Sequence, residues 1–314
     1  MISGEKILIT GVTGMVATPL AMFLAEQNEV WGLARFADPA ARLPFEGAGI
    51  TTRAIDLGDP DFSELPQDFT YVLHLSWMRA DLTQLQQAIR TNVEGPGLLF
   101  QHCRRAKATL VMSGMGIYSP NPDPWHLYTE SDPIGRGSTA YAPTSPATKA
   151  GIEAVARFCA RAFDMRIVIA RLNTFNGSRR SMPAQVIRAV LEGRTVHAPY
   201  DPNPQSPIHI DDIKSHLEAM LDAASNPATI VNWCGDEAVP LQNWARLVGQ
   251  WSDKPVDLAV RNTPCAPTGS AADPTLRRSI TGRSDISFEA GFRALYDEIV
   301  AQAQTGHGPN WGRI

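Results

Sequence analysis

Short apolar segments alternate with longer amphipathic ones along this chain of 314 residues, and this alternation limits its fold most strongly. The first apolar segment, Lys6–Thr10, is followed by apolar residues at helical spacing over residues 15–26. The pattern repeats with predicted strands at residues 29–34, 71–75, 109–112, 166–170 and 229–233 and predicted helices at 82–106, 147–163, 241–250 and 288–303. Strands that are apolar on both faces and joined by helices are typical of a parallel sheet. The sequence therefore predicts an α/β fold with a Rossmann-type, doubly wound parallel sheet.

The character of the sequence changes near residue 172, where loops rich in Pro, Asn and Ser interrupt shorter elements. We expect residues 1–172 to form a dinucleotide-binding Rossmann domain. Residues 173–314 would form mainly a small substrate-binding lobe, with some segments returning to the first domain. Such a lobe would close over the carboxyl ends of the strands, where ligands bind in doubly wound sheets.

Charge and cysteine usage narrow the class of protein. The 28 Lys and Arg residues are outnumbered by 32 Asp and Glu, which gives a formal net charge of -4 and no positive field for nucleic acid or an anionic membrane. We see neither a secretion signal nor an uncharged apolar run of about 18 residues. The four cysteines are far apart and form no CxxC pair, which argues against a disulfide framework and a zinc site. We expect a cytoplasmic protein that acts on a small molecule and holds no metal.

A glycine-rich turn joins the first predicted strand to the first predicted helix. Gly11 can make the tight turn, and Gly14 lets the helix N-terminus approach a pyrophosphate. Thr13, Met15 and Val16 belong to the same turn and are assigned to the same ligand. This context predicts binding of a dinucleotide through its diphosphate.

Arg35 follows the second predicted strand, at the position where NAD-binding sheets usually offer a carboxylate to the ribose hydroxyls. A guanidinium there suits the 2′-phosphate of NADP, because it can bind phosphate through two parallel hydrogen bonds. The sequence therefore favours NADP, with NAD as the alternative. An ordinary solvated arginine is the competing interpretation.

Several motifs occur in the order found in the extended short-chain dehydrogenase/reductase group, the NAD-dependent epimerase/dehydratase family, which residues 5 to 220 resemble. They are Gly11, Gly14 and Ala17; Asp56-Leu57; His74-Leu75-Ser76; Asn92-Val93-Glu94-Gly95; Lys149 with Glu153; Arg171-Leu172-Asn173; and His209-Ile210-Asp211-Asp212. The resemblance implies the Rossmann fold, a nicotinamide dinucleotide and a homodimer built on the helices at 82–106 and 147–163. It also implies a set of cofactor-binding residues: Asp56 near the adenine, Leu57, Leu75, Ser76, Trp77, Asn92 supporting the active-site helix, Lys149, Leu172, Asn173 and Thr174.

The catalytic positions depart from this family. Its members place a Tyr four residues before a Lys, so that the ammonium lowers the pKa of a phenol that moves a proton. Lys149 is present, but Ser145 stands at the Tyr position. The family's supporting hydroxyl falls on Gly114, with Ser113 beside it. Ser113 could still reach a substrate if the glycines that follow it reposition the loop.

Three explanations for Ser145 stay open. Ser145 could cap the helix, with Pro146 at the first helical position. Tyr141, four residues upstream, could deliver a phenol to the same space, although Pro143 argues against a continuous helix from 141 to 149. Ser145 could also relay a proton through Lys149 or water.

The substrate side lacks a charge that nucleotide-sugar enzymes of the family commonly carry. They place an Arg four residues before the His of the His-x-Asp-Asp motif, and Gln205 occupies that position here, with Arg179 and Arg180 as the candidates to compensate. We interpret the chain as an NADP-dependent oxidoreductase acting on a carbonyl or alcohol of a small non-nucleotide organic substrate. A transient-redox or non-redox epimerase, dehydratase or lyase is the alternative enzyme, and a catalytically silent dinucleotide-binding protein is the alternative of another class.

Overall fold

The computed structural model describes residues 2–135, 137, 142–261 and 266–304. The strands are β1 (Lys6–Thr10), β2 (Glu29–Ala34), β3 (Thr51–Ala54), β4 (Tyr71–His74), β5 (Ala108–Gly114), β6 (Ile167–Leu172), β7 (Phe175–Asn176), β8 (Val196–Ala198), β9 (Pro204–Gln205), β10 (Ile208–His209), β11 (Thr229–Trp233), β12 (Val239–Pro240) and β13 (Leu258–Val260). The helices are α1 (Ala17–Ala25), α2 (Leu43–Gly47), α3 (Leu85–Ile89), α4 (Gly95–His102), α5 (Ser145–Ala162), α6 (Met182–Leu191), α7 (Ile210–Asp222), α8 (Leu241–Ser252), α9 (Thr275–Thr281) and α10 (Phe288–Gln304).

A 7-stranded sheet in the order β11-β6-β5-β4-β1-β2-β3 forms the centre of the molecule. Every neighbouring pair in this sheet is parallel. The chain runs outward in one direction from β1 to β3 and in the other from β4 to β6, so the strand order reverses between β1 and β4. Ligands bind at such a reversal, beyond the carboxyl ends of the strands. The predicted Rossmann-type, doubly wound sheet is confirmed.

The residues of β1 explain why the sheet is covered on both faces. Ile7 and Ile9 belong to a buried apolar cluster that includes residues of α1 and α7. Leu8, which points to the opposite face, belongs to a second cluster with Leu99 of α4 and Phe69. Both faces of a strand therefore bury apolar surface, which is why the strand is apolar at successive positions rather than at alternate ones.

The helices α6, α8 and α10 pack on one another around a separate core that contains Trp244, Phe288 and Phe292. We call these three helices, together with the short strands β8, β9, β12 and β13, the second lobe. Other parts of the chain beyond residue 172 return to the sheet, since β11 pairs with β6 and α7 contributes Ile213 and Leu217 to the core beside β1. A domain boundary at residue 172 stays a prediction.

The helix expected at residues 82–106 is interrupted. A 3₁₀ turn (Leu82–Gln84) precedes α3, and a π-helical turn (Arg90–Glu94) separates α3 from α4. Pro96 has no N–H to donate to the carbonyl of residue 92, so regular helical bonding fails at this point. The break lets Gly95 approach the loop after β3 closely: a Cβ atom on Gly95 would lie 1.8 Å from the carbonyl oxygen of Leu57.

This close approach gives a test of the fold. We expect Gly95→Ala to lower the free energy of unfolding by about 1–3 kcal/mol or more, because backbone must move to admit the methyl group. Gly47→Ala is the matched control, since a Cβ there meets nothing within 4 Å and alanine is the better helix former. Urea denaturation of both variants measures the difference. Equal midpoints for the two variants would contradict the close packing of α4 on the loop after β3.

Candidate functional site

The turn between β1 and α1 is shaped by two glycines. Gly11 has a φ of +66°, and a Cβ on it would lie 2.7 Å from the Cα of Ser76. The N–H of Gly14 donates to the carbonyl of Gly11 at 2.7 Å, and a Cβ on Gly14 would lie 2.9 Å from that oxygen. Thr13 and Met15 are exposed at the same turn, and Val16 is half-buried. The cradle that the missing side chains leave beside the N-terminus of α1 fits the diphosphate of a dinucleotide.

Thr10, the last residue of β1, fixes the neighbouring loop. Its Oγ1 accepts the N–H groups of Leu75 and Ser76, both at 3.2 Å. The same hydroxyl lies 2.9 Å from Nδ1 of His74, so its single proton goes to that nitrogen. Burial, and then the nearby charge of Lys149, lower the pKa of His74 to about 3, so the ring is neutral. His74 therefore anchors the loop after β4 and is no general base near neutral pH.

Asn92 holds the next part of this loop. Its Oδ1 accepts the N–H of Met78 at 2.7 Å, and its Nδ2 donates to the carbonyl of Met78 at 2.8 Å. This clamp places Trp77 against the first turn of α5, where the indole N–H donates to Oγ1 of Thr148 at 3.4 Å. Ser76 and Trp77 are both half-buried, so they offer surface at the edge where β1 and β4 end.

Lys149 lies within this arrangement. Its Nζ donates to the carbonyl of Met112 in β5 at 2.8 Å and lies 5.4 Å from the centre of the Trp77 ring. Burial lowers the pKa of Lys149 to about 8, and the attraction of Glu153 opposes the shift. An amine with this pKa can give and take protons near neutral pH.

The start of α5 corrects one explanation of Ser145. The helix begins at Ser145 itself, and Thr144 occupies the capping position without a side-chain bond to the helix. The N–H of Thr148 already donates to the carbonyl of Thr144 at 3.0 Å, so it is not available to a Ser145 hydroxyl. Ser145 is half-buried in the first turn, one turn before Lys149, and is not the cap. Tyr141 lies outside the described residues.

Ser113 is part of a buried polar network. Its Oγ donates to Oε1 of Glu153 at 2.6 Å, and Glu153 makes a two-bond ion pair with Arg171 at 2.9 and 2.8 Å. Arg171 also donates to the hydroxyl of Tyr118 at 2.8 Å. Burial raises the pKa of Tyr118 to about 12, which makes this phenol a poor acid. The Ser113 hydroxyl is therefore bonded within this buried network, and its contact with a substrate stays a prediction.

Residues near the second lobe form a neutral amide network. Oε1 of Gln205 accepts the hydroxyls of Thr174 and Ser270 at 3.2 and 2.9 Å, and its Nε2 donates to Asn203 at 3.0 Å. Asn173 is buried, and its Oδ1 accepts the N–H groups of Thr174 at 2.7 Å and of Ser206 at 3.1 Å. The side chains of Asn173 and Thr174 therefore hold this network together, and their expected contact with a cofactor stays a prediction. Leu172 ends β6 and is half-buried.

The outer rim of the sheet carries the remaining expected residues. Arg35 is exposed directly after β2. Asp56 is exposed after β3, and its carboxylate accepts the N–H of Gly58 at 2.9 Å, while Leu57 is buried. All three lie at the same edge of the sheet as the glycine turn, since parallel strands end together.

Two functional positions were missed by sequence reasoning. Sequence reasoning assigns Thr10 to the first strand and to no other role. Its position as the last residue before the glycine turn is the signal that could have identified it. Thr148 lies beside Lys149 and contacts Trp77, a contact between residues 71 apart in sequence that no local pattern indicates.

Residues 7–233 match the model of the NAD dependent epimerase/dehydratase family. No curated protein matches the chain. Among solved structures, UDP-glucuronic acid 4-epimerase from Bacillus cereus, in complex with UDP-glucuronic acid and NAD, has a TM-score of 0.80 at 21% identity and covers 94% of this chain and 99% of its own. UDP-N-acetylglucosamine 4-epimerase from Methanobrevibacter ruminantium has a TM-score of 0.80 at 17% identity and covers 96% of this chain and 100% of its own. An NAD-dependent NDP-hexosamine 5,6-dehydratase of tunicamycin biosynthesis has a TM-score of 0.77 at 21% identity, with 95% and 98% covered. At these identities the likeness is one of fold.

The burial of Lys149 has a measurable consequence for stability. The folded state lowers its pKa from 10.5 to about 8, so between these values the unfolded chain binds the extra proton and stability rises with pH. As the pH rises across this window, we expect the free energy of unfolding of the wild type to increase by on the order of 2 kcal/mol relative to that of Lys149→Met, because methionine has no group that titrates. Denaturant unfolding of both proteins across the window measures the gain. A constant difference between them would contradict a buried, proton-exchanging Lys149.

Proposed function

Because the chain belongs to the NAD-dependent epimerase/dehydratase family and is an enzyme of the extended short-chain type, we propose that it is an NADP-dependent oxidoreductase. Its substrate would be the carbonyl or alcohol of a small, non-nucleotide organic molecule. One observation carries this proposal: Lys149, held between the carbonyl of Met112 and the ring of Trp77, lies at the edge of the sheet where the glycine turn opens.

The residues at the carboxyl edge would hold the dinucleotide. The turn from Gly11 to Val16 would take the diphosphate, Arg35 the 2′-phosphate, Asp56 the adenine side, and Ser76 and Trp77 the central part. When bound, the nicotinamide ring supplies a site that accepts or donates hydride. Solved structures of similar fold contain NAD, which supports a nicotinamide dinucleotide as the cofactor, and NADP is the finer proposal.

Lys149 would transfer a proton and stabilise the negative charge that develops on the substrate. As an ammonium, it stabilises negative charge that develops on a carbonyl oxygen. Because burial brings its pKa to about 8, it can also give up a proton near neutral pH. Tyr141 or Ser145 would complete the transfer, Ser145 by relaying a proton through Lys149 or water.

The proposed substrate is small and lacks a diphosphate because the second lobe offers a neutral group where a cation would be needed. The amide of Gln205 is bonded to Thr174, Ser270 and Asn203 and carries no charge. Apolar surface on the other side comes from Trp77 and Met78, which are half-buried. This combination suits an uncharged organic molecule better than a nucleotide sugar.

A second candidate function keeps the cofactor but gives no net redox change. Similar solved structures include nucleotide-sugar epimerases and a nucleotide-sugar dehydratase, which favours an epimerase, dehydratase or lyase with transient hydride transfer. A steady change in nicotinamide absorbance with substrate supports the oxidoreductase. Product formation without such a change supports the second candidate, and binding without product supports a silent dinucleotide-binding protein.

We propose a homodimer formed through α4 and α5. Leu98 and Phe158 are 50% and 64% exposed on these helices, which is unusual for large apolar side chains.

A cytoplasmic location is also proposed, supported by Cys103, Cys159 and Cys234, which are free and buried. Among the described residues, no helix combines the length and the apolar character that crossing a bilayer requires.

The NADP preference can be tested at Arg35. We expect Arg35→Ala to weaken NADPH binding about tenfold, which corresponds to about 1.4 kcal/mol, while NADH binding changes less than about twofold. Arg105→Ala is the control, because Arg105 is equally exposed but precedes β5 at the opposite edge of the sheet. Titration of dinucleotide fluorescence measures both affinities. Stronger binding of NADH than of NADPH by the wild type would overturn the preference.

The proton donor can be identified with three variants. We expect Lys149→Met to lower kcat by about 100-fold or more, because a positioned acid or base contributes this much. Of Tyr141→Phe and Ser145→Ala, the variant that removes the proton donor should lose kcat by a factor comparable to that of Lys149→Met. The other variant should keep a kcat within about tenfold of wild type. Hydride transfer from NADPH to a panel of small aldehydes and ketones gives the readout. Wild-type turnover in all three variants would exclude the mechanism.

A further inference from the structure

One side chain crosses from the entrance of the second lobe to the glycine turn. Arg180 lies in the loop between β7 and α6, and its guanidinium donates to the carbonyl oxygen of Thr13 at 3.0 Å. Thr13 directly precedes Gly14 in the glycine turn, 167 positions earlier in the chain. The side chain of Arg180 is exposed, so this contact is made at the open mouth of the turn rather than in the core.

The loop that carries Arg180 is fixed on both sides. Gly177 has a φ of +107°, and a Cβ on it would lie 2.8 Å from Ile210 and 3.2 Å from His209. Ser178 accepts the N–H of Arg180 at 3.3 Å. Ser181 caps α6 by accepting the N–H of Ala184. The backbone of residue 180 therefore has a defined place from which its side chain reaches the turn.

The neighbouring arginine is used differently. Arg179 donates to Gln302 at 2.6 Å and pairs with Glu298 of α10 at 3.3 Å, so its charge is directed into the second lobe. Arg188 donates to the carbonyl oxygen of Arg179 and ties the loop to α6. Of these two adjacent arginines, Arg180 therefore bonds to the glycine turn, whereas Arg179 bonds to α10.

The turn itself brings no charge to meet a diphosphate. The segment from Gly11 to Ala25 contains neither acidic nor basic residues. The N-terminus of α1 offers only about half a unit of positive charge, whereas a dinucleotide diphosphate carries about two negative charges. A guanidinium has five N–H donors, so one bond to Thr13 leaves the others for phosphate oxygens.

We propose that Arg180 binds the diphosphate of the dinucleotide from the side of the second lobe. This inference rests on the proposed binding of a dinucleotide at the glycine turn. It gives Arg180 a role toward the cofactor, in place of the compensating role toward a substrate diphosphate that its sequence position suggested.

Binding measurements test Arg180 without any turnover assay. We expect Arg180→Met to weaken binding of NAD, NADPH and ADP-ribose about tenfold by isothermal titration calorimetry, because all three contain the diphosphate. Binding should also become less sensitive to salt, since one ion contact is lost. Arg180→Lys keeps the charge but lacks the planar guanidinium, so its affinities should lie between those of the wild type and those of Arg180→Met.

Arg179→Met is the matched control, with the same change at the adjacent position. It should bind all three ligands within about twofold of wild type. Equal affinities of wild type and Arg180→Met, or equal losses in Arg179→Met and Arg180→Met, would overturn the inference. If the wild type binds none of the ligands, the proposed function fails instead. Without ligand, the melting temperatures of Arg180→Met and wild type should agree, because the side chain is exposed; a large drop would identify a structural role and also overturn the inference.

Discussion

The buried ion pair between Glu153 and Arg171 determines where the chemistry of this site can take place. The two side chains are 5% and 3% exposed, so removing either partner would leave a charge without compensation in the interior, at a cost of about 3–5 kcal/mol. Arg171 belongs to β6 and Glu153 to α5, so the pair fixes the helix against the sheet. Lys149 lies one turn earlier on the same helix and takes its position from this contact. Glu153 also attracts the Lys149 ammonium and so limits how far burial lowers the pKa of the amine. The ion pair thus fixes the helix that carries Lys149, and its carboxylate opposes the lowering of the Lys149 pKa by burial.

The departures from the family pattern concern chemistry rather than space. Gly114, at the position of the usual hydroxyl, has an extended φ of -170° that any residue adopts. A Cβ on Gly114 would lie 3.6 Å from the carbonyl of Leu172, an ordinary contact, so the backbone admits a serine there. Ser113, one residue earlier, points its hydroxyl to Glu153 and cannot serve the same side of the strand. The chain therefore carries Lys149 without either of the usual oxygen partners at their usual places. In the proposed mechanism, proton transfer would depend on the amine together with Tyr141, or with Ser145 acting through Lys149 or water.

The sequence predicted what local patterns encode. The strands Glu29–Ala34 and Thr229–Trp233 were placed to the residue because they are apolar on both faces, and the glycine turn was found because its strand and helix flank it directly. Contacts between distant residues were not predictable in this way. Asn92 bonds the backbone of residue 78, which no periodicity reveals, and it lies in the π-helical turn that interrupts the expected helix. The predicted helix at 147–163 begins two residues later than α5, and the capping explanation, which rests on Ser-Pro as a strong capping signal, places the start at Pro146. In the structure Thr144 occupies the capping position and donates its hydroxyl to the carbonyl of residue 80.

The distribution of charge around the cleft explains how selectivity can differ from that of nucleotide-sugar enzymes on the same fold. On the substrate side, Gln205 and Asn203 satisfy one another and their neighbours, so an anion entering there would lose its hydration without gaining a cation. On the cofactor side, Arg35 follows β2 and Arg180 contacts the turn after the neighbouring strand β1, so two exposed arginines lie beside a glycine turn that has no charge of its own. Under the proposed function, a dinucleotide would be stabilised along the edge of the sheet, whereas a diphosphate would be disfavoured beside Gln205 and Asn203. Because the polar groups of these two amides are already bonded to their neighbours, the proposed uncharged carbonyl compound would be held by Lys149 and by the apolar surface of Trp77.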